Sequence, residues 1–199
     1  MRSTLDRLIS WVGLALAVIM LIAGILLVWA NRFVADQVHQ QLSDQKITMP
    51  TDQTGLKAPG FPATDRAALL PYAGQALTSG PQAEAYANHF IQVHLGEMAQ
   101  GKTYSEVSGQ YLQQCPASDP AKAATADCQK LAGLRQTMFM GDTLRGLLLY
   151  GYAFATIGAI AGWAAAAAFI GALVLLVLAA LGLRHAKDAS GVNTAASTA

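Results

Sequence analysis

Two histidines and a carboxylate within nine residues are the side chains of this sequence best suited to chemistry. His89, His94 and Glu97 are of the types that hold non-haem iron in oxygenases. On a helix, however, His89 and His94 point about 140° away from each other, because they are five residues apart. His94 also shares an apolar face with Phe90 and Met98. We therefore expect His94 to pack and make one hydrogen bond, and we predict neither a metal nor a cofactor.

Asp142 and Arg145 form the next candidate group. They are three residues apart, so on a helix they predict a surface ion pair of small energetic value. Because they lie beside a long apolar run, they are also, together with His94, candidate docking residues. The sequence contains no serine–histidine–aspartate order, no glycine-rich phosphate loop and no motif of paired catalytic carboxylates. We therefore predict no catalytic residue and no enzyme.

Charged residues are scarce and unevenly distributed. They make up 13% of the 199 residues, against about 25% in an ordinary soluble domain. Residues 8–30 and 146–183 contain none, and each run exceeds the roughly 20 apolar residues of a membrane-spanning helix. The formal net charge of +1 provides no basic face for nucleic acid. The sequence predicts an integral membrane protein surrounded by lipid.

The first apolar run has two interpretations. Arg2 and Arg7 precede it, as basic residues precede a signal peptide, but its 23 residues exceed the roughly 7–15 of a signal's apolar core. At about 1.5 Å per residue, the run can cross the hydrocarbon layer with some tilt. We predict a cytoplasmic N-terminus over 1–7 and an uncleaved membrane helix over 8–30; the alternative is a cleaved signal.

The second run is too long for one upright crossing and barely long enough for two. Its 38 residues contain no proline and no polar turn, which favours one helix. Arg184 and Lys187 follow it and favour the cytoplasmic side, as Arg2 and Arg7 do for the N-terminus. Two cytoplasmic termini require an even number of crossings. We predict a two-span plasma-membrane protein; the alternative is a tight hairpin within 146–183, with the C-terminus outside.

The remaining segments follow from this topology. The outer side receives a helical domain over 31–145 and a helical extension over 146–160. The second membrane helix covers 161–183, and a disordered cytoplasmic tail covers 184–199. Within the outer domain, four prolines predict an irregular connection over 50–71.

Small residues recur at intervals of four in the second run. Gly158, Gly162 and Ala166 would let two helix backbones approach closely, which matters in lipid because no hydrophobic effect drives helices together. Their partner is either the first membrane helix or a second copy of the chain. Neither run contains Asp, Glu, Lys, Arg or His, which argues against an ion path or a transporter.

The outer segment has helix signals and no alternating strand pattern. Capping sequences predict helix starts at Ser79, Thr103 and Asp119. The first of these helices has an apolar face over 83–98 and ends near Gly101. The third continues toward the second apolar run. The predicted fold is all-α, with two membrane helices and a small helical domain between them.

Cys115 and Cys128 are the only cysteines. In the predicted topology they face an oxidising compartment, where a cysteine pair in a small domain usually forms a disulfide. Twelve residues separate them, whereas a metal-binding C-x2-C motif has two. We predict a disulfide that stabilises the domain by about 3 kcal/mol. In an inverted topology, both cysteines would be free thiols.

Several short segments resemble one known family of proteins. In chain order they are 41–48 (QLSDQKIT), 79–81 (SGP), 85–87 (AYA), His94, 101–106 (GKTYSE) and Arg145 at the head of the second span. They resemble a family of small actinobacterial two-span membrane proteins of unknown function, often named aromatic ring-opening dioxygenase. The resemblance covers most of the chain and implies an envelope membrane protein. This sequence differs in a longer segment over 107–140 and a longer second apolar run.

This sequence has no residues at a spacing suitable for the iron ligands that a dioxygenase needs. In the oxygenases that carry the name, the small subunit is soluble and the iron belongs to the large subunit. Our leading hypothesis is a non-enzymatic membrane protein whose outer domain is a docking, assembly or accessory-subunit module, in a homo-oligomer or a larger membrane complex. The alternatives are a ring-cleaving dioxygenase and an outer-face sensor of a small apolar ligand beside Tyr150, Tyr152 and Phe154.

Overall fold

The computed structural model describes residues 2–58 and 60–197, and side chains over 5–58 and 60–187. The described residues form helices and no β-strand, with one isolated antiparallel bridge between Thr48 and Ala76. The fold is all-α, as predicted, with two long apolar helices and a small helical region between them. In chain order, the elements are α1 (Arg2–Asp44), a π turn (Asp52–Leu56), α2 (Ala63–Leu69), a 3-10 turn (Leu70–Tyr72), α3 (Gly80–Tyr86), a second π turn (Ala87–Ile91), α4 (Gln92–Met98), α5 (Tyr104–Gln114), α6 (Pro120–Ala123) and α7 (Ala126–Ser197).

The chain forms two compact units. The first, here called the helix pair, consists of Met1–Ala35 and Ile157–Ala199. The second, here called the helical domain, is Asp36–Thr156. α1 and α7 each contribute residues to both units, and α2 to α6 belong to the helical domain.

Small residues seven positions apart hold the helix pair together. A repeat of seven residues is the pattern of helices that wrap around each other as a coiled coil. Gly13 lies against Ala179, and Gly24 lies against Phe169, so the two helices run antiparallel. The repeat, here called the seam, consists of Ser10, Ala17, Gly24 and Asn31 on α1 and of Gly158, Ala165, Ala172, Ala179 and Ala186 on α7; Asn31 is half-buried and the others are buried.

The seam requires glycine where the helices come closest. A methyl group added at Gly24 would lie 2.9 Å from the ring of Phe169, and one added at Gly158 would lie 3.1 Å from Cγ1 of Val34. The absence of a side chain at Gly158 also lets Nδ2 of Asn31 donate a 2.7 Å hydrogen bond to its carbonyl oxygen. Hydrogen bonds between helices add to packing where lipid replaces water.

Two of the small residues of the second run contact the first apolar helix of the same chain. Gly158 and Gly162 face α1 of the same chain, where both lie against Asn31. Ala166, predicted to continue this contact, is exposed, and Ala165 takes the buried position. The contact follows an interval of seven residues because two helices wrap around each other, whereas the prediction assumed an interval of four.

α7 is one helix over its whole length, so the hairpin alternative within 146–183 is wrong. No proline or polar turn interrupts it. The helix also continues to Ser197, through most of the tail predicted to be disordered over 184–199. Alanine, the strongest helix former, recurs along this tail and no proline stops the helix. The last two residues of that prediction lie outside the described part of the chain.

The outward faces of α1 and α7 are apolar and exposed. Each helix contains an 18-residue window of high mean hydropathy, 2.8 in α1 and 2.7 in α7. By length and composition, both helices could therefore cross a membrane. Only 11% of the window in α1 and 17% of the window in α7 is buried.

The connection over 50–71 is more regular than predicted, because it contains α2 and a 3-10 turn. Pro62 is the residue before α2, and Pro71 lies in the 3-10 turn that follows it. Proline is tolerated before or within the first turn of a helix, where its missing N–H has no acceptor to lose. These two prolines therefore delimit a helix. Pro59 lies outside the described residues.

The predicted helix starts at Ser79, Thr103 and Asp119 are confirmed. The N–H of Thr103 donates to Oε2 of Glu106 at 2.7 Å, and the N–H of Glu106 donates back to the Thr103 hydroxyl at 3.3 Å. The backbone N–H and the hydroxyl of Thr103 together lower the pKa of Glu106. The helix that Asp119 starts lasts one turn, and α7 begins separately at Ala126.

Replacing Gly158 with leucine should destabilise the helix pair, because the new side chain would collide with Val34. Overpacking of this kind costs about 1–3 kcal/mol. We expect the thermal midpoint of the full chain in mild detergent to fall by several degrees, as followed by tryptophan fluorescence, since all three tryptophans lie in the helix pair. The matched variant A166L adds leucine at an exposed position and should leave the midpoint unchanged. Equal losses in the two variants would contradict the seam.

Candidate functional site

A single π turn at Ala87–Ile91 interrupts the helix that runs from α3 into α4. One backbone hydrogen bond there reaches five residues back instead of four. Turns of this kind are rare and frequently lie at functional sites. The turn contains Asn88, His89 and Phe90, and each of them contacts a side chain outside the turn. The turn and these contacts form the candidate functional site, here called the π-turn site.

Asn88 connects the π-turn site to α7. Its Oδ1 accepts a 3.1 Å hydrogen bond from Nη2 of Arg145, and its Nδ2 donates a 2.8 Å bond to Oε1 of Glu84. Nε of Arg145 is buried and has no hydrogen-bond partner among the described residues. A buried donor without an acceptor costs about 1–3 kcal/mol, so the hydrogen bonds of this guanidinium are incomplete among the described residues.

The predicted ion pair between Asp142 and Arg145 does not form among the described side chains. Arg145 is half-buried and bonds to Asn88, whereas Asp142 is exposed. An exposed ion pair gains little energy because water screens it, and a hydrogen bond to a charged group gains more when it is partly buried. Of the two charged residues proposed for docking, Arg145 lies in the π-turn site. Asp142 is exposed and makes no hydrogen bond or ion pair with the described residues of that site.

His89 connects the π-turn site to α2. Its Nδ1 lies 2.7 Å from Oδ1 of Asp65, and the two side chains are 32% and 21% exposed. A carboxylate at this distance fixes the orientation of the imidazole ring. The pair therefore ties α2 to the turn.

His94 packs within a group of aromatic rings, as predicted. Its Nδ1–H donates a 2.7 Å hydrogen bond to the carbonyl oxygen of Phe90. The centre of its ring lies 4.3 Å from that of Phe90 and 6.0 Å from that of Phe61. Tyr86 stacks on Phe90 at 5.0 Å, and burial raises the pKa of the Tyr86 hydroxyl. These contacts give His94 a packing role.

His89, His94 and Glu97 are not brought together. His89 pairs with Asp65, His94 bonds to Phe90, and Glu97 is exposed. Within residues 2–58 and 60–197, no three His, Cys, Asp or Glu side chains are placed to hold a metal ion.

Cys115 and Cys128 form the predicted disulfide. Their Cα atoms are 5.7 Å apart, and both residues are buried. The bond joins the residue after α5 to the first turn of α7 and bridges α6. Closing this loop stabilises the domain by about 3 kcal/mol in the chain-entropy account. The disulfide therefore fixes α5 beside the start of α7.

A second constraint holds α2 in place. Nε and Nη2 of Arg66 donate to the two carboxylate oxygens of Asp52 at 3.0 and 2.8 Å. Nζ of Lys57 lies 3.3 Å from the same carboxylate. The hydrogen bonds from Arg66 are the largest cause of a lowered pKa at Asp52, and Lys57 adds to the effect. Because α2 also carries Asp65, this clamp helps to position the partner of His89.

Comparison with models of protein families, with curated proteins and with solved structures finds no match to this chain. The interpretation of the π-turn site therefore depends on its own geometry.

The sequence alone indicates His94, Arg145 and the cysteines, but it does not indicate the residues that connect the π turn to α7 and α2. Asn88 and Asp65 have no local signal, because their partners are distant in sequence and a π turn has no recognised motif. The seam, in contrast, has a signal in the sequence. Its residues on α1 lie seven apart and are small or polar within an apolar run, so the spacing itself indicates a packing face.

Replacing Arg66 with glutamine should raise the pKa of Asp52 toward its ordinary value of 3.8, because the main hydrogen-bond donor is lost. Since the folded pKa is lowered, the stabilisation from this carboxylate is fully present above the ordinary value and is lost as the pH falls through the folded value. Carboxyl carbon NMR titration measures the shift directly. K57Q should raise the pKa of Asp52 less than R66Q does. A larger rise in K57Q would contradict the assignment of Arg66 as the main partner.

Proposed function

We propose that this chain is a two-span plasma-membrane protein whose helical domain is a non-enzymatic docking or assembly module of the cell envelope, acting as an accessory subunit of a larger complex. The observation that carries the membrane assignment is the exposure of the apolar windows of α1 and α7, of which 11% and 17% is buried. The core helix of a soluble domain would bury such a window, because exposed apolar surface of this extent is unfavourable in water. Lipid is the solvent that suits it.

The antiparallel helix pair supports the proposed orientation. Ser10 lies against Gly182, so the two ends of the pair nearest the termini lie on the same side. Basic residues occur at both ends, with Arg7 before the first apolar run and Arg184 after the second. Basic residues beside membrane helices favour the cytoplasm. With both termini cytoplasmic, the helical domain lies outside, where the disulfide is stable.

The docking role rests on the surface of the helical domain. Arg145 is half-buried and keeps an unused donor beside Asn88. Large apolar side chains of the same domain are also exposed, among them Met98, Leu112 and Met140. Large apolar side chains that are exposed to solvent occur at surfaces that bind another protein. We propose a non-enzymatic function because His94, a side chain suited to catalysis, packs against Phe90 and bonds to its carbonyl oxygen.

Topology reporters should place the domain outside and the C-terminus inside. A fluorescent protein fused after residue 199 should fluoresce, and alkaline phosphatase inserted at Asp119 should be active, because the first folds in the cytoplasm and the second requires an oxidising compartment. Alkylation in the absence of reductant should find no free thiol at Cys115 or Cys128. An active phosphatase at the C-terminus would contradict the two-span topology.

A partner should be recovered in a manner that depends on Arg145. Membranes that express the full chain, cross-linked and dissolved in mild detergent, should yield a stoichiometric partner or a homo-oligomer. R145Q keeps a donor for Asn88 but removes the charge, and we expect a loss of the complex of about tenfold or more, since truncating one partner of a buried charged contact costs about 2–5 kcal/mol. D142N changes an exposed charge on the same helix and should have no effect. A monomer without any partner, or equal recovery from both variants, would contradict the docking role.

A further inference from the structure

α5 and the first turns of α7 form a helical hairpin with a cavity between them. The cavity has a volume of about 380 Å³, within the range of about 300–1,000 Å³ of small-molecule sites. The lining residues of α7 recur at intervals of three and four, and the two lining residues of α5 are seven apart, so each set lies on one face of its helix. The lining residues are Tyr104, Tyr111, Ala132, Arg135, Gln136 and Phe139.

Arg135 is held in this cavity without a negatively charged partner. Its Nε donates a 3.0 Å hydrogen bond to the hydroxyl of Ser108, and its guanidinium carbon lies 5.1 Å from the centre of the Tyr111 ring. None of the ion pairs among the described side chains includes Arg135. The hydroxyl and the ring orient the guanidinium but leave its charge uncompensated. A preoriented arginine with free terminal nitrogens is suited to bind an oxyanion through two parallel hydrogen bonds.

Aromatic rings form the other walls of the cavity. Tyr104 and Phe139 contact each other with ring centres 5.8 Å apart and planes inclined by 51°. Phe139 is 52% exposed, so part of an apolar ring faces solvent beside the cavity. Aromatic faces of this kind gain energy when they cover a flat apolar group. The cavity therefore combines one cation with an apolar wall.

We propose that this cavity binds a small amphiphilic molecule in which a single carboxylate is joined to a flat apolar body. The carboxylate would bind to Arg135, and the apolar body would lie across the contacting rings of Tyr104 and Phe139. Arg135 is the only cation among the lining residues, and one cation matches one negative charge better than the two charges of a phosphate monoester. This ligand site goes beyond the proposed docking role, which does not depend on it.

The disulfide would set the geometry of the site. Cys115 and Cys128 face each other next to Tyr111 and Ala132, so the covalent bond fixes the register of α5 against α7. With the register fixed, Ser108 stays opposite Arg135. A preformed cavity loses less conformational entropy when it binds than one that must first assemble.

The test uses the full chain in lipid nanodiscs, with 15N-labelled arginine and 4-phenylbutyrate as the probe. The probe should move the Nε–H resonance of Arg135 in a saturable manner and leave that of Arg66 unmoved. R135Q should weaken binding, detected as saturation transfer to the probe, by about tenfold or more, as expected for a lost charge-assisted hydrogen bond. R135K should bind with intermediate affinity, because a lysine keeps the charge without the planar fork. K130Q removes an exposed cation of the same helix and should bind as the unaltered chain does.

Three further measurements distinguish a carboxylate ligand from a neutral amphiphile and from phosphate. The neutral probe 4-phenylbutanol should bind about tenfold more weakly than the carboxylate, and inorganic phosphate should not move the Arg135 resonance at the same concentration. S108A, which leaves the charge in place, should reduce affinity by a few-fold and so tests the site even if R135Q fails to fold. The proposal would be overturned if the alcohol bound as tightly as the carboxylate, if R135Q bound the probe as tightly as K130Q, or if phosphate bound more tightly than the carboxylate. None of these results would affect the recovery of a partner through Arg145.

Discussion

The close approach of α1 and α7 is the constraint on which the helix pair depends. In lipid, no hydrophobic effect pushes two apolar helices together, so packing and hydrogen bonds must hold them. The seam meets this requirement because one face of each helix carries mostly small side chains, and Gly24 and Gly158 have no side chain beyond a hydrogen atom. The bond from Asn31 to the Gly158 carbonyl adds a directional contact that fixes the register. The large side chains are left exposed on the outside of the helix pair.

The helical domain is held together by a different set of interactions. Its largest fully buried side chains are few, and they are Met49, Leu56, Leu69, Leu77 and Val107. A core of this size gives limited stability, so small domains often depend on added constraints. The disulfide supplies one, and the carboxylates of Asp52 and Asp65 supply others through Arg66 and His89. These constraints position the π-turn site and the α5–α7 cavity.

Much of this organisation could be predicted from local patterns in the sequence. Capping at Thr103, the cysteine pair and the long uncharged runs each depend on neighbouring residues or on composition, and the structure agrees with them. The predictions were wrong where a residue distant in the sequence determines which contact a side chain makes. Arg145 bonds to Asn88, which is 57 residues away, in preference to the nearby Asp142. The exposed position of Ala166 follows from the wrapping of two helices, which an interval of four within one helix does not reveal.

Spin labelling of the full chain in lipid vesicles tests the lipid-solvated helix pair most directly. Nitroxides at Ile22 and Leu173, on the outer faces, should be accessible to oxygen and inaccessible to a water-soluble nickel chelate. Nitroxides at Ala17 and Ala172, in the seam, should be poorly accessible to both reagents, because these positions are fully buried. A nickel chelate that reached Ile22 and Leu173 as readily as oxygen does would show that water surrounds these helices, and it would contradict the account.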